Sequence, residues 1–182
     1  MAEIENTQVN PELEEQKHFC KRCGFDQREE FNPASPEELE NYFKSALSQT
    51  PFSKTYDLYG GLLQLTFEEA TGKLLRLQEQ AIIELARENK TSMSDAADYS
   101  MLSSLVEIRQ VPREGASRVL YSADAARRRE LLEKKEIPDE LLNMPMIQLQ
   151  SLRNTYVLFT KHCAALMAAA QDENFWKGVG RN

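Results

Sequence analysis

Seven apolar residues near the end of the chain recur at alternating intervals of three and four positions, and this spacing restricts the fold more than any other feature. The residues are Leu149, Leu152, Tyr156, Phe159, Cys163, Leu166 and Ala170. A heptad spacing predicts one long helix with a continuous apolar seam, and Pro145 is placed to open its first turn. The seam can pack against helices of the same chain or against another subunit, and the sequence leaves both open.

Residues 52–67 follow a different period, because apolar and polar side chains alternate on both sides of Gly60 and Gly61. The alternation predicts a β-hairpin whose turn is the glycine pair. A lone hairpin is marginally stable in water, so its apolar face must rest on helices or on a neighbouring chain. The hairpin residues that we predict to bind a partner are Tyr56, Leu58, Leu63 and Leu65.

Helix signals cover most of the remaining chain. Ser35 and Glu38 form a capping box with Pro36 at the first helical position, which predicts a short helix ending near Ser48. After Gly72 the pattern is helical to the end. A first helix there carries an apolar stripe formed by Leu74, Leu77, Ala81, Ile82 and Leu85.

Two more helices are predicted before the final one. One of them carries Met101, Leu105 and Ile108, whose spacing fits a helix face. The other is highly charged, with Ser122 as its cap and Pro138 as its end.

These elements predict a mainly α protein of the α+β class, built as a helical bundle with one β-hairpin and an N-terminal CxxC knuckle. Residues 1–17 are polar and are expected to form a mobile N-terminal arm. Residues 18–67 hold the knuckle, the short helix and the hairpin. Residues 68–182 form the helical region with an aromatic C-terminal segment.

The charge of the chain restricts its partners. Among 182 residues the formal net charge is -7, which disfavours binding to nucleic acid phosphates. The basic run at residues 127–129 is followed by glutamates at helical spacing, as expected for a solvated helix face. No stretch approaches the roughly 20 apolar residues that span a membrane, and no signal peptide is recognisable, so we expect a cytoplasmic site of synthesis and no membrane partner.

Two cysteines near the N-terminus, Cys20 and Cys23, form a CxxC, and His18 precedes them. Cysteine and histidine are the ligands that zinc prefers in tetrahedral sites, so these three residues are the candidate metal ligands. No second CxxC completes the shell, and the other candidates are His162 and Cys163. Zinc binding and a purely structural turn both stay open, and the heptad position of Cys163 favours a buried apolar role for it.

The sequence contains no pattern typical of a catalytic site. The CxxC lacks the strand and helix context of a redox motif, and both histidines lie near cysteines. Gly60 and Gly61 lack the lysine and hydroxyl residue of a phosphate-binding loop. We therefore predict a protein that is not an enzyme and has no cofactor, with zinc as the one alternative.

Two large aromatic residues, Phe175 and Trp176, lie in the C-terminal segment. They can pack on the core of their own chain or anchor the protein in a pocket of a partner, where tryptophan often dominates the binding energy. We include both among the candidate partner-binding residues.

Three segments resemble, in the same order, small tail, baseplate-hub and virion-assembly proteins of tailed bacteriophages. Residues 20–26 are similar to the N-terminal cysteine knuckle of these proteins, although Phe25 stands where a tryptophan is expected. Residues 52–67 resemble their central hairpin, and residues 174–178 resemble their C-terminal end. The resemblance implies a virion protein that contacts other phage structural proteins as a homo-oligomer or ring. The alternative is a small zinc-knuckle adaptor or transcriptional regulator.

Overall fold

The computed structural model describes residues 19–20, 25–26, 35–88 and 93–170. Two short strands, β1 (Phe19–Cys20) and β2 (Phe25–Asp26), pair antiparallel. In chain order the other elements are helix α1 (Pro36–Ser48), strands β3 (Ser53–Leu58) and β4 (Leu63–Glu68), helices α2 (Gly72–Arg87) and α3 (Met93–Leu102), strands β5 (Leu105–Gln110) and β6 (Arg118–Ser122), and helices α4 (Ala125–Lys134), α5 (Asp139–Leu142) and α6 (Met146–Ala170). The described part of the chain is therefore of the α+β class.

A four-stranded antiparallel sheet in the order β3-β4-β5-β6 lies at the centre of the fold. The predicted hairpin is confirmed, with Leu58 opposite Leu63 and positive φ angles at Gly60 and Gly61. The prediction of a helical bundle with a single hairpin is wrong, because β5 and β6 extend the sheet. The sheet joins strands from both sides of the division predicted after residue 67.

The helix predicted around Met101, Leu105 and Ile108 is the clearest error. Helix α3 ends at Leu102, and β5 begins at Leu105 after a turn in which Ser104 donates to the Met101 carbonyl at 3.0 Å. A short apolar run fits a helix or a strand equally well by period. Pairing with β4 decides the outcome, because it supplies a partner for the backbone groups of β5.

The helix starts show how closely local signals determine the boundaries. The capping box of α1 is confirmed, since Ser35 Oγ accepts from the Glu38 N–H and Glu38 Oε2 accepts from the Ser35 N–H, both at 3.2 Å. The cap predicted at Ser122 is wrong, because that residue ends β6. Asp124 caps α4 instead and accepts from the Arg127 N–H at 2.8 Å.

Helix α6 packs against β4, and the core lies between them. Phe67 of β4 is stacked on Phe159 of α6, with ring centroids 5.6 Å apart. Four residues of the heptad seam are buried in the chain's own core: Leu152, Phe159, Cys163 and Leu166. Of the two interpretations of the seam, packing within the chain is the one that the structure supports.

Candidate interaction surface

The hairpin residues predicted to bind a partner are covered by the chain itself. Tyr56, Leu58, Leu63 and Leu65 are all buried, and Leu65 is fully inaccessible to solvent. Their side chains belong to the same core cluster as the heptad residues of α6. The apolar face of the hairpin therefore rests on helices of the same chain, and the prediction that these four residues bind a partner is corrected: their side chains are buried in the chain's own core.

The other predicted site residues lie largely outside the described residues. His18, Cys23, Phe175 and Trp176 fall outside them, and only the backbone of Cys20 is described, in β1. Within the described ranges there is no group of three metal-ligating side chains. Cys163 is buried, and burial raises the pKa of its thiol to about 12, so it packs as a small apolar group.

An exposed apolar segment connects α5 with α6. Leu142, Met146 and Ile147 are 63%, 73% and 45% exposed, and all three lie within six consecutive residues that carry no charge. The Ser151 hydroxyl donates to the Ile147 carbonyl at 2.9 Å and lies 2.8 Å from the Tyr59 hydroxyl, so the turn between β3 and β4 holds the start of α6 in place. The segment thus presents apolar side chains on a fixed backbone.

A groove of about 690 Å³ runs between α1 and β3. Glu38, near the start of α1, accepts a hydrogen bond from Lys54 Nζ at 2.8 Å. The loop at residues 49–52 joins the end of α1 to the start of β3, and residues of both elements line the groove. The lining is mostly polar: Glu38, Asn41, Lys44, Ser45, Ser48, Thr50, Pro51, Phe52, Ser53, Lys54 and Thr55.

Comparison with known proteins does not identify the chain. No protein-family model, curated protein or solved structure matches it. No helix of the described ranges is long and apolar enough to cross a membrane.

One end of the groove contains a half-buried cluster of ionisable groups. His162 Nε2 of α6 lies 3.4 Å from Lys54 Nζ and 3.6 Å from Glu38 Oε1, and its ring stacks on Phe52. Burial lowers the pKa of His162, and the Lys54 ammonium adds to this effect, while Glu38 opposes it. For Glu38, partial burial acts to raise its pKa, but the ion pair with Lys54 and the Ser35 N–H lower it overall.

We expect the fold to lose stability in mild acid because of His162. Its pKa is lower in the folded chain than the ordinary value near 6.5, so below that pH the unfolded chain takes up a proton that the folded chain resists. The contribution of His162 to the free energy of unfolding is therefore present above about pH 6.5 and is lost as the pH falls below that value. Between about pH 7.5 and 5.5 the melting temperature should drop by a few degrees.

The His162→Phe variant keeps a ring against Phe52 and should show a flatter melting profile over the same range. Burial raises the pKa of Glu69, so its titration changes the stability in the direction opposite to that of His162. Glu69 is present in both the wild-type chain and the variant. Subtracting the two melting profiles therefore isolates His162. Parallel profiles would mean that its imidazole titrates normally.

The basic run at residues 127–129 is not the uniformly solvated face that its sequence predicts. Arg127 and Arg129 are exposed, but Arg128 is buried, where its guanidinium donates to the Glu68 carboxylate and to the Ser103 carbonyl. The sequence indicates this burial, because Arg128 lies three and four positions before the apolar residues Leu131 and Leu132, which places all three on one face of the helix.

Proposed function

We propose that this chain is a structural or assembly protein of a tailed-phage virion, in its baseplate hub, tail or injection apparatus, and that it acts by protein-protein contacts. It is made in the host cytoplasm and is incorporated with other phage structural proteins as a homo-oligomer or ring. The resemblance of its three segments supports the phage assignment. The exposed apolar segment supports the mode of action.

The segment that contains Leu142, Met146 and Ile147 carries the proposal. Single exposed apolar residues are common on soluble proteins, whereas a contiguous apolar patch marks an interaction surface. The segment is exposed although the rest of the described chain buries an ample core. Methionine adapts its shape to a partner at low cost, which suits an assembly contact.

Replacing Leu142, Met146 and Ile147 together by serine should weaken association by at least about tenfold, because it removes the apolar contacts of the patch. The melting temperature should hardly change, since all three side chains are exposed before the substitution. Native mass spectrometry of the gently purified chain, alone and with virion proteins, measures both the oligomers and the partner complexes.

The matched control is Leu75→Ser with Ile83→Ser, two exposed apolar residues of α2 at 43% and 51% exposure. It lowers surface apolarity elsewhere and should leave association unchanged. A chain that remains a monomer and never co-purifies with phage particles or tail proteins would rule out the proposal.

The second candidate is a small zinc-knuckle adaptor or regulator. The observation that favours it is the antiparallel pairing of β1, which contains Cys20, with β2, which begins two residues after Cys23 in the sequence. The same mass spectrum distinguishes the two candidates. About one zinc ion for each chain or dimer, lost in Cys20→Ser, would favour the adaptor.

A further inference from the structure

Helix α6 presents an exposed face that carries almost no charge. Its 25 residues include two lysines or arginines and no carboxylate, whereas six of the ten residues of α4 are charged. Arg153 is mostly buried, and its guanidinium donates twice to the Asp98 carboxylate at 2.7 Å, so its charge is neutralised. Of the exposed side chains described for α6, Lys161 alone is charged. Depletion of charge is typical of the core of a protein interface.

Side-chain size changes along this exposed face. Met146 and Ile147 lie at the start of the helix, and Val157, which is 48% exposed, lies near its middle. Ala164 and Ala168 are exposed near its end. Each of the other four is close to two or three turns of about 3.6 residues from Val157, so all five lie on one side of α6. The face is therefore bulky at one end and flat at the other.

We propose that this face binds the same face of a second copy, with the two α6 helices antiparallel about a twofold axis near Val157. Met146 and Ala168 are equally distant from that axis in the sequence, so Met146 packs on Ala168 of the partner subunit. The same holds for Gln150 and Ala164. The bulky start of each helix thus covers the flat end of the other. The inference rests on the proposed function, because it names a contact through which copies of the chain associate.

The size pattern identifies a second copy as the occupant. The face needs a partner helix that is small where α6 is bulky and bulky where α6 is small, at the same distances from one centre. Helix α6 itself meets this requirement when it is turned end to end, which is the self-complementarity that a twofold contact demands. The exposed faces of α2 and α4 do not, because charged residues such as Arg76 and Arg129 interrupt them.

Lys161 favours the antiparallel orientation. In a parallel pair the two Lys161 ammonium groups would lie side by side, and like charges at that distance destabilise a contact. In the antiparallel pair they lie about 12 Å apart along the helices, beyond the Debye length of about 8 Å at physiological ionic strength. Each then lies opposite Arg153 of the partner subunit, whose charge Asp98 neutralises. A parallel pair would also leave a gap where Ala168 meets its own copy.

Sedimentation velocity over a range of concentrations tests the contact at its centre. One helix pair is a small interface, so we expect a dimer with a dissociation constant of about 10–100 µM. Val157→Asp and Val157→Lys should each weaken it by at least about tenfold, because each brings two like charges together at the axis. An equimolar mixture of the two variants should recover the wild-type affinity, because the opposite charges then face each other. A mixture that stays monomeric overturns the inference.

The matched control places the same charges on α2. Ile83 is 51% exposed, so Ile83→Asp and Ile83→Lys change the surface to a similar extent. Alone and mixed, they should leave the affinity of the wild-type chain unchanged. Thermal melting, followed by circular dichroism, checks that all four variants are folded. Equal effects of the substitutions at Val157 and Ile83 would mean general attraction between chains and overturn the inference.

A second pair of mixtures tests the orientation. Met146→Lys mixed with Ala168→Asp should associate more tightly than either variant alone, because the antiparallel pair brings these two positions together. Ala168→Asp mixed with Ala168→Lys should gain nothing, since each faces Met146 of the partner subunit. The opposite result would mean a parallel pair and overturn the inference.

Other occupants of the face give different results. A wild-type chain that stays monomeric up to about 1 mM overturns the inference. A chain that dimerises only after residues 171–182 are removed would mean that this segment covers the face, which also overturns it. The third alternative is another protein. In that case Val157→Asp would lose virion proteins in co-purification, and mixing it with Val157→Lys would produce no dimer.

The two proposals fail in different ways. If the chain is a monomer but still co-purifies with virion proteins through Leu142, Met146 and Ile147, the self-contact of α6 falls and the proposed function stands. If the mixed Val157 variants recover the dimer but the wild-type dimer never associates with phage particles or tail proteins, the proposed function falls and the self-contact stands.

Discussion

Replacing Phe67 by alanine should destabilise the chain by about 3–5 kcal/mol, the largest effect that we expect from one apolar substitution. Phe67 is completely buried, and its ring stacks on Phe159 at 5.6 Å and lies 6.0 Å from the ring of Tyr156. The substitution removes most of a large side chain from the contact between β4 and α6. Urea unfolding, followed by circular dichroism, measures the loss.

Leu47→Ala is the matched control, because Leu47 is 86% exposed at the end of α1 and should change the free energy of unfolding by no more than about 0.5 kcal/mol. The measurement also distinguishes two explanations of the hairpin. If its apolar face packs on the chain's own helix, the loss is independent of protein concentration. A loss that depends on concentration would place the contact between subunits.

The sequence predicts the parts of this fold that local chemistry determines. The capping box around Ser35, the glycine-pair hairpin and the long helix after Pro145 all match the structure, because each depends on neighbours within a few residues. The β5 strand depends on pairing with β4, about 40 residues earlier in the chain. No local pattern contains that pairing, so the spacing of Leu105 and Ile108 alone predicts a helix.

The candidate site, too, could be predicted only where it depends on local sequence. Apolar periodicity predicted which hairpin residues would be covered, but it could not tell whether a helix or a partner covers them, because both bury the same face. The groove beside β3 was not predicted, since it arises from the placement of α1 along a sheet edge. Its lining residues have no common spacing in the sequence. The exposed segment at Leu142 could have been noticed as an uncharged apolar run.

Replacing Arg128 by methionine should destabilise the chain by about 3 kcal/mol, the lower end of the range for breaking a buried ion pair. Arg128 is 2% exposed, and its guanidinium joins α4 to the Glu68 carboxylate of β4 and to the Ser103 carbonyl. Without it, both oxygens lose a donor while they remain largely desolvated. Glu68 retains some solvent contact, which keeps the expected loss at the lower end.

Arg129→Met is the control, because the neighbouring arginine is exposed and its loss should leave the urea midpoint unchanged. A second substitution tests the cause. Arg128 Nε has no hydrogen-bond partner among the described residues, so the buried pair is incompletely satisfied. Replacing both Arg128 and Glu68 by methionine should therefore recover most of the loss, because no unpaired charge remains and the volume is filled. If the double variant is as unstable as Arg128→Met, the loss arises from the Ser103 carbonyl, which has no donor in either variant, and the unpaired Glu68 carboxylate adds little.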